Sequence, residues 1–285
     1  MQREQDRFKA AVAAVRGVLW TNDEQGRMTG EQPGWASLTA ATEDGGQALP
    51  AVLESVLYEW LSAANHGWTM APGLLHGAYE CIKHHASDEL KAQYLEKVAT
   101  GEWLATMCLT EPHAGSDLGL ARTKAIPLPD GKYAVSGTKI FISGGEHDLT
   151  DNIVHIVLAR LPDAPAGTRG ISLFVVPKFN VTTDDNGNGV MADRNTVHCG
   201  SIEHKMGIRA SATAVLHFDA AKAYLIFEKN RGLEAMFTFM NTARIGTAVQ
   251  GVCHAEAAFQ GALPYALERR SMRALSGKKE PEHKA

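Results

Sequence analysis

The chain changes its hydrophobic period twice, and this limits its fold more than any other feature. Up to about residue 104 the apolar side chains recur every three to four positions. Phe8, Ala11, Val12, Val15 and Leu19 do so first, which predicts a short amphipathic helix. A stretch rich in Gly, Pro and polar residues follows at 30–50, and 51–64 and 74–85 then read as helices. Ser87 is placed to cap another, with Asp88 and Glu89 in its first turn and Gly101 past its end. Leu90, Tyr94, Leu95 and Val98 would form its buried stripe.

From 105 to about 227 the period falls to two. Residues 132–143, 152–160, 170–177 and 214–219 are alternating or β-branched runs, separated by turn clusters at 162–167 and 184–189. Strands without intervening helices predict an antiparallel barrel or sandwich, not a doubly wound sheet, and no GxGxxG occurs. Helical spacing returns at 232–270, where Leu233, Met236, Phe237, Met240, Ala248, Val249 and Val252 can share one broad buried face. Pro264 is expected to kink that helix or to begin a second one. The fold class is therefore α+β in several domains: a helical part at 1–104, a β-barrel or sandwich at 105–227, and at 228–285 further helices that either cover the sheet or are the first of a bundle whose other members are absent.

Composition narrows the function. A net charge of −4 without a long basic run argues against nucleic acid, which needs a concentrated positive face. No apolar run approaches the ~20 residues that span a bilayer, so membrane insertion is not expected. Residues 1–20 mix Arg3, Glu4, Asp6, Arg7 and Lys9 and do not read as a signal peptide. Cys81, Cys108, Cys199 and Cys253 are scattered without a CxxC, which favours reduced thiols in a cytoplasmic protein. His147, Asp148, Asp151 and His155 lack zinc-site spacing, as do His198, Cys199 and His204, and no metal is expected.

Residues 107–117, Met-Cys-Leu-Thr-Glu-Pro-His-Ala-Gly-Ser-Asp, carry most of the chemical signal. Pro112 removes an N–H and stiffens the chain, and Gly115 permits close backbone approach. The segment is expected to be neither plain strand nor plain helix. Its residues suit an ordinary turn, or a rigid loop holding a phosphate or the polar edge of a cofactor ring.

The order of these segments resembles the acyl-CoA dehydrogenases, flavoproteins that desaturate acyl-CoA thioesters between the α and β carbons. The resemblance is carried by Gly34-Trp35 through Glu43, Gly45-Gly46 and Leu49-Pro50, then by Leu109-Thr110-Glu111-Pro112 with Gly115-Ser116-Asp117. It continues through Gly137-Thr138-Lys139-Ile140-Phe141-Ile142-Ser143-Gly144-Gly145, and His204-Lys205-Met206-Gly207 with Arg209, Ser211 and Thr213. Arg244 and Ala266-Leu267-Glu268-Arg269-Arg270 complete it. Residues 144–148, 152–155 and 161–165 resemble the 3-(methylthio)propionyl-CoA dehydrogenase branch, which acts on short, sulfur-containing acyl-CoAs.

The resemblance implies FAD as cofactor, an acyl-CoA substrate and an electron-transfer flavoprotein as acceptor. Met107, Leu109 and Thr110 would line the flavin, Gly115 and Ser116 would meet its phosphates, and Phe141 and Ser143 would flank its ring. Ser116 and Arg244 would contact substrate. Arg269 and Ser271 fall where the family reaches the flavin of a neighbouring subunit, which implies a homo-oligomer or a complementing C-terminal fragment. The family's usual catalytic glutamate matches no residue here and is expected beyond Ala285. Some relatives place the base just before the arginine matched by Arg244, where this chain has Ala243. The chain thus reads as an internal portion of a dehydrogenase, incomplete at both ends and inactive alone. The alternative is a non-catalytic remnant or a flavin- or CoA-binding module of the same fold.

Overall fold

A computed structural model describes residues 37–185 and 187–269, with two short paired strands, β1 (Thr21–Asn22) and β2 (Met28–Thr29). The expected helix at 8–19, Gly34, Trp35, Arg270, Ser271 and the polar tail lie outside the described residues.

Three helices precede the sheet: α1 (Ala51–Thr69), α2 (Leu75–His85) and α3 (Asp88–Ala99). α1 breaks at Asn65, whose φ is −156° and ψ 80°. Asn65 Oδ1 accepts from Trp68 N at 3.1 Å and so starts the final turn anew. α3 begins as its sequence indicates. Ser87 Oγ accepts from Leu90 N at 3.3 Å, and Gly101 past the helix end takes the left-handed φ of +78°. Leu90, Tyr94, Leu95 and Val98 are all buried.

The strands are β3 (Leu104–Cys108), β4 (Lys124–Pro127), β5 (Tyr133–Ser143), β6 (Ile153–Arg160) and β7 (Ile171–Pro177). β8 (Phe179–Thr183) and β9 (Gly189–Arg194) form a separate hairpin, and β10 (Val197–Ile202) and β11 (Thr213–Ile226) complete the set. β11 pairs with β5, β5 with β4, β4 with β6, β6 with β7, and β7 again with β11, which closes a barrel. The expected antiparallel pattern is broken in one place. β3 and β4 both run parallel to β6, β3 at Ile153–Val157 and β4 at Arg160. They lie along one edge in one direction, so the chain makes no reversal between them. Residues 109–123 are an excursion from a single interrupted strand.

β6 and β7 are buried on both faces, which explains their unbroken apolar runs. Val157, Ala159, Phe174 and Val176 point into the barrel core with Leu216 and Phe218. Val154, Ile156, Leu158, Leu173 and Val175 point the other way, into a second core shared with the helices.

α4 (Gly232–Glu268) runs through Pro264 as one helix, without a second start. Its expected broad buried face does not form. Ala235, Met236 and Phe239 are buried, while Phe237, Ala248 and Val252 face outward, because only a narrow stripe of α4 meets β7, α1 and α2. Ile245, Phe259, Leu263 and Leu267 are also exposed. Gly232 makes the docking possible: a Cβ there would lie 2.3 Å from the main-chain carbon of Ser172. Gly232→Ala should therefore destabilise the chain by about 1–3 kcal/mol in urea unfolding, and an unchanged midpoint would contradict this packing.

All four cysteines are free thiols, and burial pushes Cys81 and Cys108 up to about 12. No helix among the described residues is long and apolar enough to cross a membrane.

Candidate functional site

Met107 and Cys108 are the last residues of β3, so the motif at 107–117 is irregular only from Leu109 onward. The strand alternation turns Cys108 into the barrel core and Met107 toward the helices. Leu109 leaves the sheet and packs back on the helical side. Glu111 and Ala114 then exchange main-chain bonds of 2.8 and 3.0 Å, which places Pro112 and His113 at the tip of a tight turn. Asp117 Oδ1 accepts from Gly119 N at 2.9 Å. Arg160 anchors the far side: its guanidinium donates to the carbonyls of Gly119, Ala121 and Gly167 at 2.6, 2.8 and 2.7 Å. The loop is therefore a fixed structure whose Gly115, Ser116 and Asp117 remain exposed.

β5 supplies the second wall. Lys139 pairs with Leu216 and Ile142 with Ala214, so Ile140 and Phe141 together oppose one residue of β11. This bulge turns Phe141 outward, against the simple reading of it as one more inward strand residue. Its φ is +61°, a strained value for a bulky side chain, and its ring is 59% exposed. Ser143, half-buried, lies two residues further along the same strand and pairs with Thr213.

A buried ion pair ties the two walls together. Lys139 Nζ donates to Glu111 Oε1 at 2.8 Å and to Leu109 O at 2.9 Å. Lys139 is 0% and Glu111 3% exposed. Ile140 N donates to Thr110 O at 2.9 Å beside them. The carboxylate also accepts from Arg122 N at 2.7 Å and Thr123 N at 3.0 Å. Burial raises the Glu111 carboxyl, but the Lys139 charge and these donors outweigh it and hold it at about 2. Burial presses Lys139 below its usual value against the pull of Glu111. Neither residue was singled out for a role on sequence grounds. The available signal was phase: Lys139 continues the inward alternation of Tyr133 and Val135.

The structure brings Leu109, Thr110, Gly115, Phe141 and Ser143 into one neighbourhood. A Cβ at Gly115 would lie 3.3 Å from the Thr110 methyl, so glycine leaves room on the loop surface. Among the described residues, no protein group pairs with the hydroxyls of Thr110, Ser116 or Ser143. An exposed aromatic face with three uncommitted hydroxyls and a glycine edge suits a planar ring with polar edges and an attached phosphate.

Other expected positions lie apart. Arg244 is exposed on α4, where its guanidinium is 5.4 Å from the Phe237 ring and donates to Asn241 Oδ1 at 3.2 Å. Asn241 thus gives the guanidinium a polar partner within its own helix. Ala243 before it is half-buried. Arg269 is exposed at the end of α4, 5.9 Å from the Tyr265 ring centroid, and Ser271 lies outside the described residues. His155 is buried in the barrel, with Nδ1 2.7 Å from Thr106 Oγ1.

Residues 106–221 match the sequence profile of the family described as "Acyl-CoA dehydrogenase, middle domain", and residues 21–102 match "Acyl-CoA dehydrogenase, N-terminal domain". The chain is 50% identical over 244 residues to 3-methylmercaptopropionyl-CoA dehydrogenase of Ruegeria pomeroyi, covering 86% of this chain and 41% of that protein. It is 41% identical over 228 residues to a butyryl-CoA dehydrogenase of Syntrophomonas wolfei, covering 76% and 36%. The FAD-complexed acyl-CoA dehydrogenase of Bacillus anthracis superposes with a TM-score of 0.69 at 29% identity, over 84% of this chain and 38% of that one. The chain thus spans about two fifths of the length of these curated relatives.

Proposed function

Because the chain belongs to the acyl-CoA dehydrogenase family, we propose that it is the flavin-bearing part of an enzyme that desaturates an acyl-CoA thioester between its α and β carbons. The observation that carries this reading is the rigid loop at 109–117 pinned against the outward bulge at Phe141. Thr110 and Ser143 would bond the polar edge of the flavin ring, and Phe141 would cover its face. Met107 and Leu109 would back it from the helical side, and Gly115 and Ser116 would admit phosphate. When bound, FAD would supply the acceptor for the β-hydride. The identity to the Ruegeria protein supports a short or sulfur-containing acyl group. An electron-transfer flavoprotein is the proposed acceptor. A homo-oligomer or a complementing C-terminal fragment is the setting in which Arg269 and Ser271 would reach a neighbour's cofactor, and Arg244 and Ser116 are assigned to substrate.

None of the residues assigned to the flavin is an acid able to take the α-proton. Glu111 is committed to Lys139, and Ala243 stands where some relatives carry a base. We therefore propose that the base is supplied by protein other than this chain. The purified chain should quench the fluorescence of added FAD, yet retain the visible flavin absorbance when 3-(methylthio)propionyl-CoA or butyryl-CoA is added anaerobically. Bleaching without a further protein would overturn the assignment of the base. Failure to hold FAD at all would favour the alternative, a non-catalytic remnant of the same fold.

A further inference from the structure

We infer that the Glu111–Lys139 ion pair is a positioning device that sets the gap between the two walls of the cofactor face, an inference that rests on the flavin reading above. Three contacts converge here. Lys139 Nζ reaches Glu111 Oε1 and Leu109 O, and Ile140 N reaches Thr110 O, all within 2.9 Å. They join Leu109–Glu111 to Lys139–Ile140, and each proposed wall starts from one of these anchors. Thr110 lies between Leu109 and Glu111, while Phe141 follows Ile140 at the bulge. A slip of the loop along β5 therefore changes the separation of Thr110 and Phe141 directly.

The chemistry of the pair fits positioning better than bulk stabilisation. Two apolar side chains could fill the same volume without the desolvation of two charges. An ion pair adds orientation, because the carboxylate also accepts from Arg122 N and Thr123 N and so fixes the loop at both ends of its excursion. Lys139 and Glu111 are themselves buried and act through Thr110 and Phe141.

The test compares the wild-type chain with Glu111→Gln and with the double variant Glu111→Leu/Lys139→Met, which removes both charges together. Thermal unfolding, FAD affinity by fluorescence, the visible spectrum of bound FAD and amide exchange of the FAD-free chain are measured on each. The double variant should melt close to wild type but bind FAD about tenfold more weakly or worse, with a shifted flavin spectrum. Its amides at 110–121 should exchange faster than wild type while those of β6 and β7 do not. Glu111→Gln, which keeps the shape but leaves Lys139 buried without its counter-charge, should melt below both and lie between them in FAD affinity and amide exchange. Wild-type FAD affinity and spectrum in the double variant would overturn the inference and leave the pair a structural contact. If the wild-type chain holds no FAD, the flavin reading fails by itself. Unchanged exchange at 110–121 in both variants would then overturn the positioning role independently.

Discussion

Lys139→Met should lower folding stability by about 3–5 kcal/mol, because it leaves the Glu111 carboxylate buried without its counter-charge. That is a large share of the ~5–15 kcal/mol that typical domains possess. The neighbouring donors soften the loss without cancelling it, since Arg122 N and Thr123 N still face the carboxylate. Adding Glu111→Leu should restore much of the stability, and urea unfolding of the wild type, the Lys139→Met and Glu111→Leu single variants and the double variant gives the coupling directly. The pair also has an acid signature. Glu111 titrates at about 2 in the folded chain against 4.5 for the ordinary group. A depressed carboxyl stabilises fully above its unfolded value and loses that contribution as pH falls from 4.5 toward 2. The linkage is about 3 kcal/mol at neutral pH, and it should be absent from the double variant. A Lys139→Met chain as stable as wild type would contradict the burial and pairing described here.

The second large effect belongs to His155. Burial lowers its imidazole to about 3, with smaller contributions from Lys178 and His147. Its ordinary value is 6.5, so the unfolded chain takes up a proton that the folded barrel refuses. The sign follows from this. Stability is full above 6.5 and falls as pH drops below it. Between pH 7 and 5 this one group should remove about 2 kcal/mol. His155→Gln can still meet Thr106 Oγ1 and has no proton to gain. It should therefore be less stable at pH 7 through imperfect packing against Phe218, yet lose less between pH 7 and 5 than wild type. Parallel pH slopes for the two chains would show that His155 already titrates in the folded state.

How much of this was legible in the sequence depended on whether the signal was local. The cap at Ser87 and the stripe from Leu90 to Val98 depend on residues three or four apart, and they stand where the pattern put them. The runs of β6 and β7 were equally plain, because both faces are buried. β3 was not legible. Its five residues adjoin a helical stretch, and its pairing partner lies about 50 positions later in the chain. The direction of β3 and β4 was hidden for the same reason. On α4 the apolar pattern exceeded what the fold buries, so periodicity alone overstated the buried face.

The candidate site divides in the same way. Thr110, Gly115 and Ser116 stood out by residue type in a short segment. The outward turn of Phe141 did not, because it comes from a register shift against β11 that a single strand's sequence does not encode. The inward phase of β5 at Tyr133, Val135 and Lys139 passes to Ile142 across that shift. A lysine on the inward phase was the available sign of a buried partner, and the partner was the glutamate of the preceding motif.

Amide hydrogen exchange of the chain with and without FAD tests the proposed site most directly, since it reports where the cofactor lies as well as whether it binds. The expected result is protection confined to 109–116 and 140–145, the loop and the bulge, with little change in α3 or the β8–β9 hairpin. Binding that leaves both segments unprotected would contradict the assignment of Thr110, Ser116, Phe141 and Ser143 to the flavin.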